Sequence, residues 1–503
     1  MTDRYIKKIL SARVYDVACE SPLEVAPCLS QRLNNRILLK REDQQQVFSF
    51  KLRGAYNKMY QLSLSGELVG VIAASAGNHA QGVALAAKKL GVKAVIVMPR
   101  TTPAIKVEAV KAFGAKAILH GDAYDDAYAH ARELEAETGY PFIHPYDDED
   151  VIAGQGTVGL EICRQHPNEI NALFVPIGGG GLIAGVAVLM KYLRPEVKII
   201  GVEPDDANSM QLALQKKRRV VLDQVGIFAD GVAVKQAGEA PYHLCKKYVD
   251  EVITVSVDEM CAGIKEIFNE TRTVTEPAGA LAVAGLKKYV EREGITGQTL
   301  IAINSGANIN FDRLRHVAER AELGEQREML LAVTLPEKAG SFRQFCQDLG
   351  RRAVTEFNYR YGDAEQAKIY AGVKISGEAE RSELLAQLQA KGYEVLDLSD
   401  NEMAKTHIRY MVGGRAKEVV DERLYRFEFP ERPGALPAFL NQVGRGWNIS
   451  LFHYRNHGSA FGRVLCGIQV PTEDEARFFS HLEKLGFAYW DESNNPAYQA
   501  FLL

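Results

Sequence analysis

The stretch Ala172-Leu173-Phe174-Val175-Pro176-Ile177-Gly178-Gly179-Gly180-Gly181-Leu182-Ile183-Ala184, continuing through apolar residues to Met190, decides the fold. Its length approaches that of a membrane span, yet Pro176 and four consecutive glycines interrupt it where a spanning helix needs unbroken hydrogen bonding. It reads instead as a strand, a loop and a buried helix. Glycines in a plain loop add unfolded-state entropy without return; close approach of the backbone to a phosphate explains four of them. A second explanation fits the same letters. Gly179 to Ala184 matches G-x-G-x-x-A, and Glu203 ends the next strand at about the distance of a ribose-binding acid, so local spacing leaves a dinucleotide open. The consecutive glycines and their place in the second α/β lobe favour a cup for one phosphate.

Working outward, the same strand–turn–helix unit recurs on both sides. Upstream, Val69–Ala74 leads into an Ala-rich helix ending near Gly91, and Ala94–Met98 leads through Pro103 to a helix ending at Phe113-Gly114. Ala117–Leu119 and Phe142-Ile143 continue the series; downstream it resumes at Val197–Val202 and Thr299–Ile303. Strands alternating with helices at this spacing indicate βαβ units and open, mostly parallel sheets. Residues 1–320 are therefore expected to form a two-lobed α/β domain, the smaller lobe (about 45–145) inserted in the larger. The charged run Arg313 to Arg327 reads as a connecting helix with little core character.

Beyond it the chain repeats itself. Leu335-Pro336-Glu337-Lys338-Ala339-Gly340-Ser341-Phe342 returns as Phe429-Pro430-Glu431-Arg432-Pro433-Gly434-Ala435-Leu436, and Phe357-Asn358-Tyr359-Arg360 as Phe452-His453-Tyr454-Arg455. Lys391-Gly392-Tyr393 and Leu485-Gly486-Phe487 are a third pair. Two α+β modules, 321–420 with a linker and 421–503, packed side by side, account for this.

Bulk properties narrow the chemistry. A net charge of −4 with 25% charged residues gives no field that recruits nucleic acid or an acidic membrane, so small molecules are the expected partners. Seven cysteines without a C-x-x-C pair argue for a reducing compartment, and the mixed charges of Met1–Ile9 lack the form of a secretory signal; the expected address is cytoplasmic. The eleven histidines show no paired-ligand spacing, so no catalytic metal is proposed, and no G-x-S-x-G elbow occurs.

Several residues invite chemistry. Lys51, in Ser49-Phe50-Lys51-Leu52-Arg53-Gly54-Ala55, sits among aromatics that could cover a planar cofactor while its amine forms a Schiff base; a snorkelling lysine at a helix start is the plain alternative. Ser75-Ala76-Gly77-Asn78-His79 opens a helix where free N–H groups attract a carboxylate, or where Ser and Asn simply cap. Ser305, in Asn304-Ser305-Gly306-Ala307-Asn308, follows the last strand of the second lobe, on the edge where parallel sheets bind ligands; an ordinary turn serine would look the same. Glu276 is either an N-terminal helix acid or a polar wall of the pocket.

Taken together, the Lys51 run, the Ser75–His79 turn, the Gly178–Gly181 loop and the Ser305–Asn308 turn resemble the fold type II pyridoxal-phosphate enzymes, and within that group the biosynthetic threonine dehydratase family, along the whole chain including Phe311-Asp312-Arg313-Leu314-Arg315 and Asn494-Asn495-Pro496. The resemblance implies pyridoxal 5'-phosphate on Lys51 as the Schiff-base lysine. It implies Phe50 against the ring, Asn78 at the 3′ oxygen, Gly178, Gly179, Gly180, Gly181 and Leu182 as the phosphate loop, and Ser305 at the pyridine nitrogen. Ser75, Gly77 and His79 would shape the site for the substrate carboxylate. The implied reaction is conversion of L-threonine, with serine a possible second substrate, to 2-oxobutanoate and ammonia on the route to isoleucine. The repeats resemble that family's paired ACT-like regulatory modules, implying inhibition by isoleucine opposed by valine in a homotetramer. Tyr359 and Tyr454, at corresponding places, are candidate effector contacts, with core packing as the alternative. Another fold type II lyase or racemase, a non-catalytic amino-acid sensor and a dehydrogenase remain as other readings.

Overall fold

The computed structural model describes residues 2–226, 228–311, 313–338, 340–361, 365–401, 404–405, 408–410, 416, 419–430, 436, 439–441, 446–455, 461–485, 487–495, 498 and 502. They form two compact units, Met1–Gly324 and Glu325–Leu503. Asp312, Ala339, Gly486, Pro496 and most of the second turn motif, 431–435, lie outside the described residues.

In the first unit the strands are Leu23–Val25 (β1), Arg36–Arg41 (β2), Gly70–Ala74 (β3), Lys93–Met98 (β4), Lys116–Leu119 (β5), Ala172–Pro176 (β6), Lys198–Pro204 (β7), Glu251–Val255 (β8) and Thr299–Asn304 (β9). The larger sheet runs β1-β2-β9-β6-β7-β8, parallel except where β1 meets β2. The smaller sheet, β3-β4-β5, is parallel, with a bridge from Ile72 to Phe142. Every residue of β3 and β6 is buried, as unbroken apolar runs require in a sheet covered on both faces. The carboxyl ends of β3, β6 and β9 release Ser75, the glycine run and Ser305, so the motifs gather where parallel sheets bind ligands.

The charged helix Arg313–Gly324 corrects an expectation: it has core character. Val317 and Ala321 join the hydrophobic core of the large lobe, Arg320 is buried and paired with Asp258, and a Cβ on Gly324 would lie 1.9 Å from the Asp258 carbonyl oxygen. Charge counting missed this because the apolar stripe is narrow and the arginine is buried through its partner.

The second unit is one antiparallel sheet. Its strands are Glu328–Pro336 (β10), Val354–Arg360 (β11), Gln366–Lys374 (β12), Glu394–Asp397 (β13), Glu422–Pro430 (β14), Asn448–Arg455 (β15), Phe461–Gln469 (β16) and Ala488–Asp491 (β17), in the order β13-β10-β12-β11-β15-β16-β14-β17. Each copy contributes four strands in mirrored order, and the copies join where β11 pairs β15, Phe357 opposite Tyr454 and Tyr359 opposite Phe452. Even the irregularities are duplicated. The register shifts at Val354/Glu356 in one copy and at Ile449/Leu451 in the other, corresponding positions of the repeat.

Candidate active site

Lys51 is the first residue of the helix Lys51–Ser63. The chain entering it is tied to the exit of β9: Ser49 bridges Gly306, and the Phe50 N–H donates to the Ser305 carbonyl at 3.3 Å. Two residues on, Arg53 is fully buried and forks onto Glu42 at 2.8 Å and Glu161 at 2.5 Å, while Lys40 reaches Glu161 at 2.6 Å. Two cations and two carboxylates sum to zero, which is how full burial is tolerated. The cluster clamps the start of the Lys51 helix to β2 and to the helix Glu149–Gln165.

The Lys51 amine donates to the Pro145 carbonyl oxygen at 3.1 Å and stands 5.4 Å from the centroid of the Phe50 ring. Lys51 keeps some accessible surface while dense protein surrounds it, the mark of a group at the bottom of a cleft. Burial drives its pKa down to about 8, against the opposing pull of Glu276. The amine is therefore far closer to its neutral, nucleophilic form than a surface lysine.

Tyr146, next to Pro145, seats the glycine run. A Cβ on Gly179 would lie 2.2 Å from the Tyr146 ring, and one on Gly181 would lie 2.9 Å from its carbonyl oxygen. Gly180 adopts φ +94°, a left-handed conformation that favours glycine. The amine and the glycine turn thus lie against consecutive residues of one segment. Gly181 begins the helix Gly181–Leu193, whose N-cap offers no side-chain acceptor. The N–H groups of Gly178 to Leu182 donate to no protein group among the described residues, although Gly179 to Leu182 are buried. Consecutive donors left unpaired at a helix N-terminus fit a phosphate, and the residues present therefore fit pyridoxal phosphate.

Ser75, Ala76 and Gly77 keep accessible surface, and a Cβ on Gly77 would meet nothing within 4 Å, so this turn faces open space. The Ser75 hydroxyl accepts from the Gly77 N–H at 3.2 Å. His79 is buried, with Nε2 2.8 Å from the Ile143 carbonyl oxygen; an acceptor there makes Nε2 the protonated nitrogen of a neutral ring. Burial and the neighbouring Lys51 push its pKa down to about 3. Asn78 donates to Glu276 at 2.6 Å and accepts from Asn308. The buried Ser305 hydroxyl is 3.3 Å from the Ala278 carbonyl oxygen.

Glu203 plays no ribose-binding part here. It is buried, accepts from the N–H groups of Met210 at 2.9 Å and Gln211 at 2.8 Å, and anchors the helix Ser209–Gln215. Both carboxylate oxygens are engaged, which removes the acid a dinucleotide site would need. Tyr359 and Tyr454 lie in the core of the second unit, and the Tyr359 hydroxyl donates to Glu337 at 2.5 Å. Sequence reasoning missed Tyr146 and the Glu42–Arg53–Glu161–Lys40 cluster, which carry no local signature. Asn308 closes the quoted Ser305 motif, and its amide meets Asn78.

Fold and site define a pyridoxal-phosphate-dependent enzyme, and the family described as pyridoxal-phosphate dependent enzyme matches residues 15–306. The C-terminal regulatory domain of threonine dehydratase matches twice, over 319–408 and 413–502. The chain is 57% identical over 501 residues to the biosynthetic L-threonine dehydratase IlvA of Burkholderia multivorans, covering 99% of each. It is 54% identical to that of Escherichia coli, covering 99% of this chain and 97% of the relative. The solved processed form of threonine deaminase isoform 2 from Solanum lycopersicum superposes with TM-score 0.62 at 51% identity, covering 64% of this chain and 93% of that one. The chain belongs to the biosynthetic threonine dehydratase family.

Proposed function

We propose that this chain converts L-threonine to 2-oxobutanoate and ammonia, and that its second unit places the reaction under isoleucine control opposed by valine. The observation that carries the catalytic reading is the pairing of the Lys51 amine with the unpaired N–H turn across Pro145-Tyr146. The bound coenzyme supplies an electron sink for negative charge at the substrate Cα. The chain does the rest. The N–H groups of Gly178 to Leu182 hold the phosphate, with Asn78 and Ser305 as polar contacts to the ring system and Phe50 beside it. Ser75, Gly77 and the start of the helix Asn78–Leu90 receive the substrate carboxylate, where free N–H groups and the helix dipole favour an anion. Lys51 Nζ, poised near neutrality, takes the Cα proton, and passing that proton to the β-hydroxyl lets it depart as water. The water is regained on hydrolysis, so threonine is converted without net hydration into the keto acid and ammonium. Neutral His79 adds no cation beside the amine, which keeps Lys51 basic enough to act.

Support for control comes from the regulatory-domain matches and from a small cavity in the second unit. It is bounded by Lys338, Gly340 and Arg343 of one copy and Trp447, Asn448 and Ile449 of the other. Tyr359 lies beside it through Glu337, whose carboxylate is 3.5 Å from Asn448. Serine is a second substrate, and the assembly is a homotetramer in the cytoplasm. No helix among the described residues is long and apolar enough to cross a membrane. The test is a visible spectrum with and without threonine, then 2-oxobutanoate release as isoleucine and valine are titrated. Turnover of threonine that Lys51→Ala does not abolish refutes the catalytic reading; turnover indifferent to isoleucine refutes the regulatory one.

A further inference from the structure

The Val47 carbonyl sets the sense of a row of side-chain amides. A carbonyl oxygen only accepts, so the Asn308 atom 2.8 Å from it is the side-chain NH2. The same NH2 meets Asn78, whose facing atom is therefore its oxygen. The Asn78 NH2 is left to face Glu276 Oε1 at 2.6 Å, and Gln81 donates to the Asn308 oxygen at 3.3 Å. Asn78 consequently has one N–H to spare, while its oxygen already accepts from Asn308.

Glu276 occupies the N-cap position of the helix Pro277–Glu293 but makes no side-chain capping bond. Instead it turns to Asn78. A glycine makes room for it: a Cβ on Gly306 would lie 2.6 Å from Glu276 Oε1. Glu276 is buried, which pushes its carboxyl up to about 7 so that it carries its charge above that pH, and its electrostatic neighbours are Asp230, Lys106 and Lys51. The other titratable groups facing Lys51 are His79 and His144, both held neutral by burial.

We propose that Glu276 is a positioning residue of the active site: through Asn78 it commits that amide as a donor toward the coenzyme, and it lends a negative charge to the Lys51 nitrogen. This rests on the reading that Lys51 carries the coenzyme. A carboxylate near a cationic nitrogen stabilises its protonated form, so removing the charge lowers the pH at which that nitrogen gives up its proton.

The experiment is a pH titration of the visible band of the substrate-free holoenzyme. In Glu276→Gln, which keeps size and an acceptor for Asn78, the midpoint is expected to fall by about one to two pH units. Glu276→Asp, which keeps the charge, should hold the midpoint near the parent's and weaken coenzyme affinity, read by equilibrium dialysis. A midpoint unmoved in Glu276→Gln overturns the proposal, as does an equal displacement in both variants, which would mark mere disruption. Should Glu276→Gln fail to fold, the Glu276→Asp midpoint decides: retained, it supports the proposal; lost, it overturns it. A parent band that survives Lys51→Ala overturns the underlying reading instead, and the proposal with it.

Discussion

Replacing Arg53 by methionine should destabilise the first unit by about 3–5 kcal/mol, because it strands a buried carboxylate. The guanidinium donates to Glu42 twice at 2.8 Å, to Glu161 at 2.5 and 3.0 Å, to the Thr157 hydroxyl at 3.1 Å and to the Cys19 carbonyl at 3.2 Å. Without it, Glu161 keeps Lys40, Tyr15 and the Ser21 N–H. Among the described residues Glu42 keeps hydrogen bonds to the Ser21 hydroxyl and Gln45, and neither carries charge. The double variant Arg53→Met/Glu42→Gln restores a neutral cluster and should recover at least about 2 kcal/mol, a coupling of the size expected for one network. Urea unfolding of the holoenzyme checks this with a built-in control. Both tryptophans, Trp447 and Trp490, lie in the second unit, so their fluorescence reports that unit while the visible coenzyme band reports the first. The band should be lost at lower urea with the fluorescence transition unmoved. A loss under about 1 kcal/mol, or a double variant no better than Arg53→Met, would refute the reasoning.

Gly179→Ala should push the Tyr146 ring aside, costing about 1–3 kcal/mol by overpacking, and should weaken coenzyme binding more than it lowers the melting temperature; dialysis and calorimetry separate the two. Coenzyme uptake by the coenzyme-free protein should accelerate with pH to a plateau whose midpoint is about 8, where the Lys51 amine becomes neutral; stopped-flow absorbance that still climbs at pH 10 would contradict the buried amine. His79 binds its proton at about 3 in the folded protein and at about 6.5 when unfolded. Between those values the unfolded chain holds more protons, so stability is full above pH 6.5 and falls as the pH drops toward 3. His79→Gln should flatten that slope in urea midpoints compared at pH 5 and pH 7.

Sequence alone carried the local grammar. The glycine run, the strand–helix alternation and the duplicated C-terminal motifs are properties of consecutive residues, and steric and periodic rules act over consecutive residues. They told of two lobes and two modules, and placed Lys51, Asn78 and the turn in one kind of site. They left Glu203 open between two roles, and Glu276 open between a helix acid and a polar wall of the pocket. Folding decided both, because a carboxylate's role depends on the donor it meets, and those donors lie 7 and 198 residues away. The same holds for Arg53, whose partners are 11 and 108 residues distant, and for the helix Arg313–Gly324, whose charges hid a buried stripe until Asp258 came alongside. Where a group is desolvated, its chemistry is set by whatever the chain brings next to it, and only the tertiary structure brings it.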